Sequence, residues 1–234
     1  MDINVDLGEG GVHDQAFMAY VTSCNIACGG HAGDVETLRQ VMEWACAEGV
    51  SIGAHPSYPD TENFGRRSLQ MSPDALKTSL IEQLTRFDEV VASMDAHWHH
   101  IKPHGALYND LVHSDSLGTL FLDVLDHLKF KGVIYALAGS SWVARLRDAN
   151  FKVWEEGFLD RRYADDGTLL ARKHPDALLQ STEAVVGQFL DIQKGYVTTL
   201  SGGQRSLSCQ TLCLHSDTPQ ALERAERINR IKAL

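Results

Sequence analysis

No run of apolar residues in this chain approaches the length of about 20 that crosses a bilayer, and no Gly-x-x-x-x-Gly-Lys-Ser/Thr loop is present to cradle nucleotide phosphates. Basic residues are scarce as well. Lys and Arg number 21 against 31 Asp and Glu, a formal net charge of −10. That balance excludes a nucleic-acid backbone as partner, which requires clustered cations. The five cysteines are odd in number and lie mostly within apolar runs, so buried thiols are expected and a disulfide framework is not. Cys24/Cys28 and Cys209/Cys213 share a Cys-x-x-x-Cys spacing, but their apolar context argues against zinc. There is no low-complexity segment, linker or internal repeat. The acidic start MDINVDLGEGG reads as a first strand rather than a signal peptide, so a cytoplasmic location is expected.

What is present is an alternating β/α pattern. At 234 residues and 44% apolar content, the chain suffices for one α/β domain over 1–234 with a packed core. Ile3, Val5 and Leu7 alternate with polar residues and end in Gly8-Glu9-Gly10-Gly11, a strand and its breaker. Val21–Cys28, Val50–Ala54, His99–Lys102, Val133–Ala138, Phe151–Glu155, Val197–Leu200 and Ser206–Leu214 are further strand candidates. Asp34 caps a helix with Val35, Leu38, Val41, Met42 and Ala45 on its inward face, closed by Gly49. Ser72-Pro73 opens a long helix packed through Leu76, Leu80, Leu84, Phe87 and Val91. A further helix is expected over Ser116–Phe130, and Ser181 and Thr218-Pro219 begin the last two. About seven β/α units suit a closed or nearly closed parallel barrel, with a doubly wound open sheet as the alternative.

Four histidines, His31, His55, His104 and His215, each sit in a short polar cluster just after an apolar run. Strand carboxyl ends converge on one rim in such folds, and the chemistry is placed there. Asp2, Asn4 and Asp6 share one face of the first strand; Asp6 lies nearest its carboxyl end, and Glu9 follows. Lys102 precedes His104 by two residues, suited to holding an anion and to keeping the imidazole neutral. Gly29-Gly30-His31-Ala32-Gly33 allows either a tight turn or anion binding at a helix N-terminus. His97, His99 and His100 read as structural or surface residues. Glu155–Tyr163 mixes carboxylates with Arg161 and Arg162 after a strand, the composition of a surface ion-pair loop or of a site wall.

Taken in order, DINVDLGEG, NIACGGHAGD, GAHPSYPD with ENFGRR, KPHGALYND, the segment around Glu156–Tyr163 and CLHSD resemble the A-subunit family of 5-oxoprolinase, also called the LamB/YcsF-type lactam-utilisation family. The resemblance covers nearly the whole chain. Gly30 departs from it, standing where an aromatic residue is usual. The resemblance implies a seven-stranded parallel β/α barrel, architecturally related to polysaccharide deacetylases. It also implies ATP-dependent opening of 5-oxoproline to L-glutamate with two partner subunits, B and C, which would share the use of ATP.

On this reading Asp6, His31, His55 and His104 form the catalytic centre, and Lys102, Asp160, Arg161 and His215 line it and bind substrate. A rival reading is a stand-alone divalent-metal amidohydrolase or deacetylase with Asp6, His31 and His55 as ligands. A third is a non-catalytic sugar-binding or regulatory barrel, for which the rim has few aromatics beyond Tyr58, Phe64 and Tyr108.

Overall fold

The computed structural model describes residues 1–232. In chain order the elements are β1 Asp2–Leu7, α1 Asp14–Phe17, β2 Ser23–Ala27, α2 Val35–Glu48, β3 Ser51–His55, α3 Pro73–Ser93, β4 Trp98–Ile101, α4 Gly105–His113, α5 Asp115–His127, β5 Val133–Leu137, α6 Ser141–Asp148, β6 Lys152–Phe158, α7 Thr182–Gln193, β7 Tyr196–Thr198, β8 Gln204–Ser206, β9 Thr211–Leu214 and α8 Ala221–Lys232. Strands β1 to β6 and β9 close a seven-stranded, wholly parallel barrel, with β9 bridging β6 and β1. Parallel strands are covered on both faces, which is why β2 and β9 are buried throughout. Outward-facing Ile3, Val5 and Leu7 join the apolar layer beneath the helices. Inward-facing Asn4, Asn25, Glu156 and Thr211 are fully buried and bond to one another inside the barrel.

Local signals account for the helix ends. Asp34 accepts from Thr37 N–H at the start of α2, and Gly49 closes that helix at φ +68°, where a side chain would be strained. Ser72, Ser114 and Ser181 cap α3, α5 and α7 through their hydroxyls.

The structure departs from the sequence reading in five places. Val35 lies in the first turn of α2 and is 48% exposed, off the inward face. Helices α1, α4 and α6 lie where the sequence reading places none. β6 continues three residues past Glu155, which draws Glu156 out of the supposed loop and into the barrel interior. Val197–Leu200 is not a barrel strand: β7 pairs antiparallel with β8 outside the barrel, the chain reversing through Gly202-Gly203. The Ser206–Leu214 run is split because Leu207 N–H turns away to bond Gly195 O, leaving only Thr211–Leu214 for the barrel. Among the described residues, no helix is long and apolar enough to cross a membrane.

Candidate active site

Asp6 ends β1, His55 ends β3, His104 follows β4 and His215 follows β9, so all four meet at the carboxyl mouth of the barrel. A cavity of about 890 Å³ opens there. Asp6, His55, Lys102, His104, Arg161 and His215 line it, together with Glu9 and Tyr108. Two of the residues expected at the site stand outside that lining. His31 sits behind Glu9, and Asp160 sits behind His215, fully buried.

The floor is a compact set of imidazoles and carboxylates. His55 Nδ1–H donates to the Lys102 carbonyl at 2.7 Å. His104 Nε2–H donates to the Phe64 carbonyl at 2.9 Å. The remaining nitrogens, His55 Nε2 and His104 Nδ1, face each other at 2.9 Å. Asp6 Oδ2 lies 3.5 Å from His55 Nε2, and Glu9 Oε1 lies 3.4 Å from His104 Nδ1. His31 Nε2–H donates to Glu9 Oε1 at 2.9 Å, and its ring stacks on His104 with centroids 3.7 Å apart. His31 Nδ1 is buried with no hydrogen-bond partner. The ligand set expected for a metal, Asp6, His31 and His55, is therefore regrouped. Asp6 clusters with His55 and His104, whereas His31 clusters with Glu9 and His104.

Lys102 stands beneath this floor. Its ammonium donates to Asp6 Oδ1 at 3.0 Å and Asn4 Oδ1 at 3.1 Å, and lies 3.0 Å from Glu156 Oε1. Burial alone would lower the Lys102 pKa, but Asp6, Cys213 and Glu156 outweigh it and hold the ammonium well above its usual range. Burial would likewise raise Asp6; His55 and Lys102 together reverse this and hold its carboxyl well below the usual range. His104 is held well below the usual imidazole range, by burial first and then by His55 and His31. Its neutrality is thus a matter of desolvation and neighbouring rings rather than of Lys102, contrary to the sequence reading.

The walls supply cations and one phenol. Asp160 receives His215 N–H at 3.0 Å and His215 Nδ1–H at 2.8 Å, which leaves His215 Nε2 as the free ring nitrogen. Burial opposes ionisation of Asp160, yet these bonds to His215 hold its pKa below normal. Arg161 donates to the Leu170 carbonyl at 2.6 Å while its Nε is buried without a partner. The Tyr108 hydroxyl also lacks a partner, and burial followed by the nearby Glu156 pushes its pKa well up. At the outer lip Arg66 and Arg172 both pair with Asp217.

The glycine turn before α2 is a packing device. Gly29 and Gly33 adopt φ of +88° and +79°, and a Cβ on Gly30 would collide with Gln83 and Ser57. Those two side chains take up the room that an aromatic residue at position 30 would need, and α2 is capped by Asp34 itself. His100, read as structural, is fully buried and bonds Asn25 Oδ1 at 2.7 Å.

Sequence reasoning passed over Glu9, Tyr108 and Glu156 as site members. Glu9 could have been found from its place one turn past the strand that delivers Asp6. Glu156 could not, because its role depends on where β6 ends.

The LamB/YcsF family pattern matches residues 1–233. Among solved structures, a lactam utilization protein from Thermus thermophilus superposes with a TM-score of 0.91 at 29% identity, over 98% of this chain and 94% of that one.

Proposed function

This chain belongs to the LamB/YcsF family, and from that membership we propose that it opens the lactam ring of 5-oxoproline to L-glutamate, as the barrel component of an ATP-dependent 5-oxoprolinase with two further subunits. The substrate class comes from the lactam utilization protein to which the barrel is similar. The observation that carries the reading is a single cavity joining proton-transfer groups on its floor to cations on its wall.

A five-membered lactam is an unreactive amide, and ATP supplies the driving force for opening it. Transfer of the γ-phosphoryl group to the lactam oxygen makes the carbonyl carbon electrophilic. Water adds to that carbon and gives up a proton; the C–N bond then breaks as the ring nitrogen takes one. The resulting γ-glutamyl phosphate is hydrolysed by a second water to glutamate and inorganic phosphate.

Glu9, which accepts from His31 at 2.9 Å, suits these proton transfers, which contribute about 10²–10⁴-fold. Arg161 and His215 suit the substrate carboxylate or a phosphoryl oxygen. Lys102 acts from below, holding Asp6 ionised rather than meeting the anion itself. Asp160 and His31 act as positioning residues, fixing the orientation of His215 and Glu9. With no P-loop in the chain, nucleotide activation is assigned largely to the partner subunits.

Binding tests the assignment of the wall. Calorimetric titration of the chain with 5-oxoproline should show one site that excludes proline, and Arg161→Gln should weaken it about 10- to 100-fold, the loss of a charged hydrogen bond of about 1.5–3 kcal/mol. Equal affinity in the variant would remove Arg161 from the site.

A further inference from the structure

We propose that Asp6, His55 and His104 form a binding site for one divalent transition ion of the zinc class at the floor of the cavity. The argument begins with the protons. A carbonyl oxygen only accepts, so His55 Nδ1 and His104 Nε2 must each carry a hydrogen to bond Lys102 O and Phe64 O. In the neutral rings, His55 Nε2 and His104 Nδ1 are then bare, and they confront each other at 2.9 Å. The carboxylate oxygen Asp6 Oδ2 closes on the same point, 3.5 Å from His55 Nε2. Three lone-pair donors, His55 Nε2, His104 Nδ1 and Asp6 Oδ2, gather with no hydrogen among them, and a cation reconciles them.

A shared proton does not suffice. It would bridge the two imidazoles alone, leaving Asp6 Oδ2 at 3.5 Å, beyond a normal N–H···O distance. A metal ion fits these separations. Ligand atoms about 2.1 Å from a common centre lie roughly 2.9–3.0 Å apart at a right angle and roughly 3.8 Å apart at 130°. The observed spacings, 2.9 Å between the two imidazole nitrogens and 3.5 Å from His55 Nε2 to Asp6 Oδ2, fall within those limits.

The surroundings are those of a built metal site. Each imidazole has its far nitrogen anchored on a backbone carbonyl, which fixes its tautomer and ring angle. Lys102 and Asn25 hold the opposite oxygen of Asp6. All three ligands also line the cavity, so a coordination position stays open to water or substrate. Imidazole with carboxylate favours zinc or a neighbouring transition ion over magnesium or calcium. That the ion would polarise a lactam carbonyl rests on the function proposed above; the binding site itself does not.

The test uses the full chain, stripped with a chelator and checked for folding by circular dichroism. Titration with Zn²⁺ by calorimetry and with Co²⁺ by visible absorption should show one ion per chain. Asp6→Asn and His55→Gln should each weaken binding at least about 100-fold, while the double variant His97→Ala/His99→Ala should leave it within about twofold. Absence of saturable binding overturns the proposal, as does binding that survives Asp6→Asn or is lost only in the His97/His99 variant. Should the site variants fail to fold, X-ray absorption of the Co²⁺-loaded chain decides: scattering from two imidazoles supports the site, and its absence refutes it. No substrate enters these measurements. Their failure overturns the ion site alone, and failure of 5-oxoproline turnover overturns the lactam reading alone.

Discussion

Replacing Lys102 with Met should destabilise the barrel more than removal of any solvent-facing charge. Lys102 is 3% exposed, and its ammonium lies 3.0 Å from both Asp6 Oδ1 and Glu156 Oε1. Methionine fills nearly the same volume, so the loss isolates the charge. It leaves two carboxylates inside the barrel with no cation between them, and breaking a buried pair in this way costs about 3–5 kcal/mol. A chain of this size unfolds with an entropy of about 0.5 kcal/mol/K, so the melting temperature should drop by roughly 6–10 °C. Thermal and urea denaturation followed by circular dichroism, in chelator so that no metal contributes, measures this. Glu156→Gln in the Lys102→Met background should recover at least about 1 kcal/mol, because one of the stranded charges is then gone. A loss below about 1 kcal/mol, or a double variant no better than the sum of its parts, would refute the view that Lys102 neutralises the barrel interior.

Two further outcomes follow from burial and bonding. Asp160→Asn should keep the fold but lower stability at neutral pH. The Asp160 pKa is depressed in the folded chain, so its contribution is present above the unfolded value of about 3.9 and lost as pH falls through the folded one. Stability curves of wild type and variant should therefore converge below about pH 4, and a gap that stays constant with pH would show that Asp160 is not ionised in the fold. Thiol alkylation followed by mass spectrometry should mark the exposed Cys46 first. Cys28, pushed up to about 12 by burial, should stay unmodified in the folded chain, and its early labelling would contradict the packing behind His55.

The first strands of the barrel were legible because each ends in punctuation that the sequence displays. Gly8, Gly29 and Pro56 stop β1, β2 and β3 where the chain must turn outward. The caps at Asp34, Ser72 and Ser181 needed only local chemistry. The β7–β8 hairpin did not announce itself, since a run such as Val197–Leu200 is as apolar as a barrel strand and only its partner decides its place. At the site, position after a strand identified Asp6, His55, His104 and His215 as one rim, yet it could not rank them by depth. His31 and Asp160 carry the same residue types as their neighbours and stand one layer back. Glu156 was missed for the opposite reason: it reads as one of a charged pair, Glu155-Glu156, of which alternation along β6 sends only the second into the barrel.

The most direct test of the lactam reading is a coupled assay of ATP hydrolysis and glutamate formation, run on the purified chain alone and then with the two partner subunits. The account predicts neither activity from the chain alone, and 5-oxoproline-dependent ATP hydrolysis with matching glutamate once the partners are added. Amide hydrolysis by the chain alone, indifferent to ATP, would contradict it.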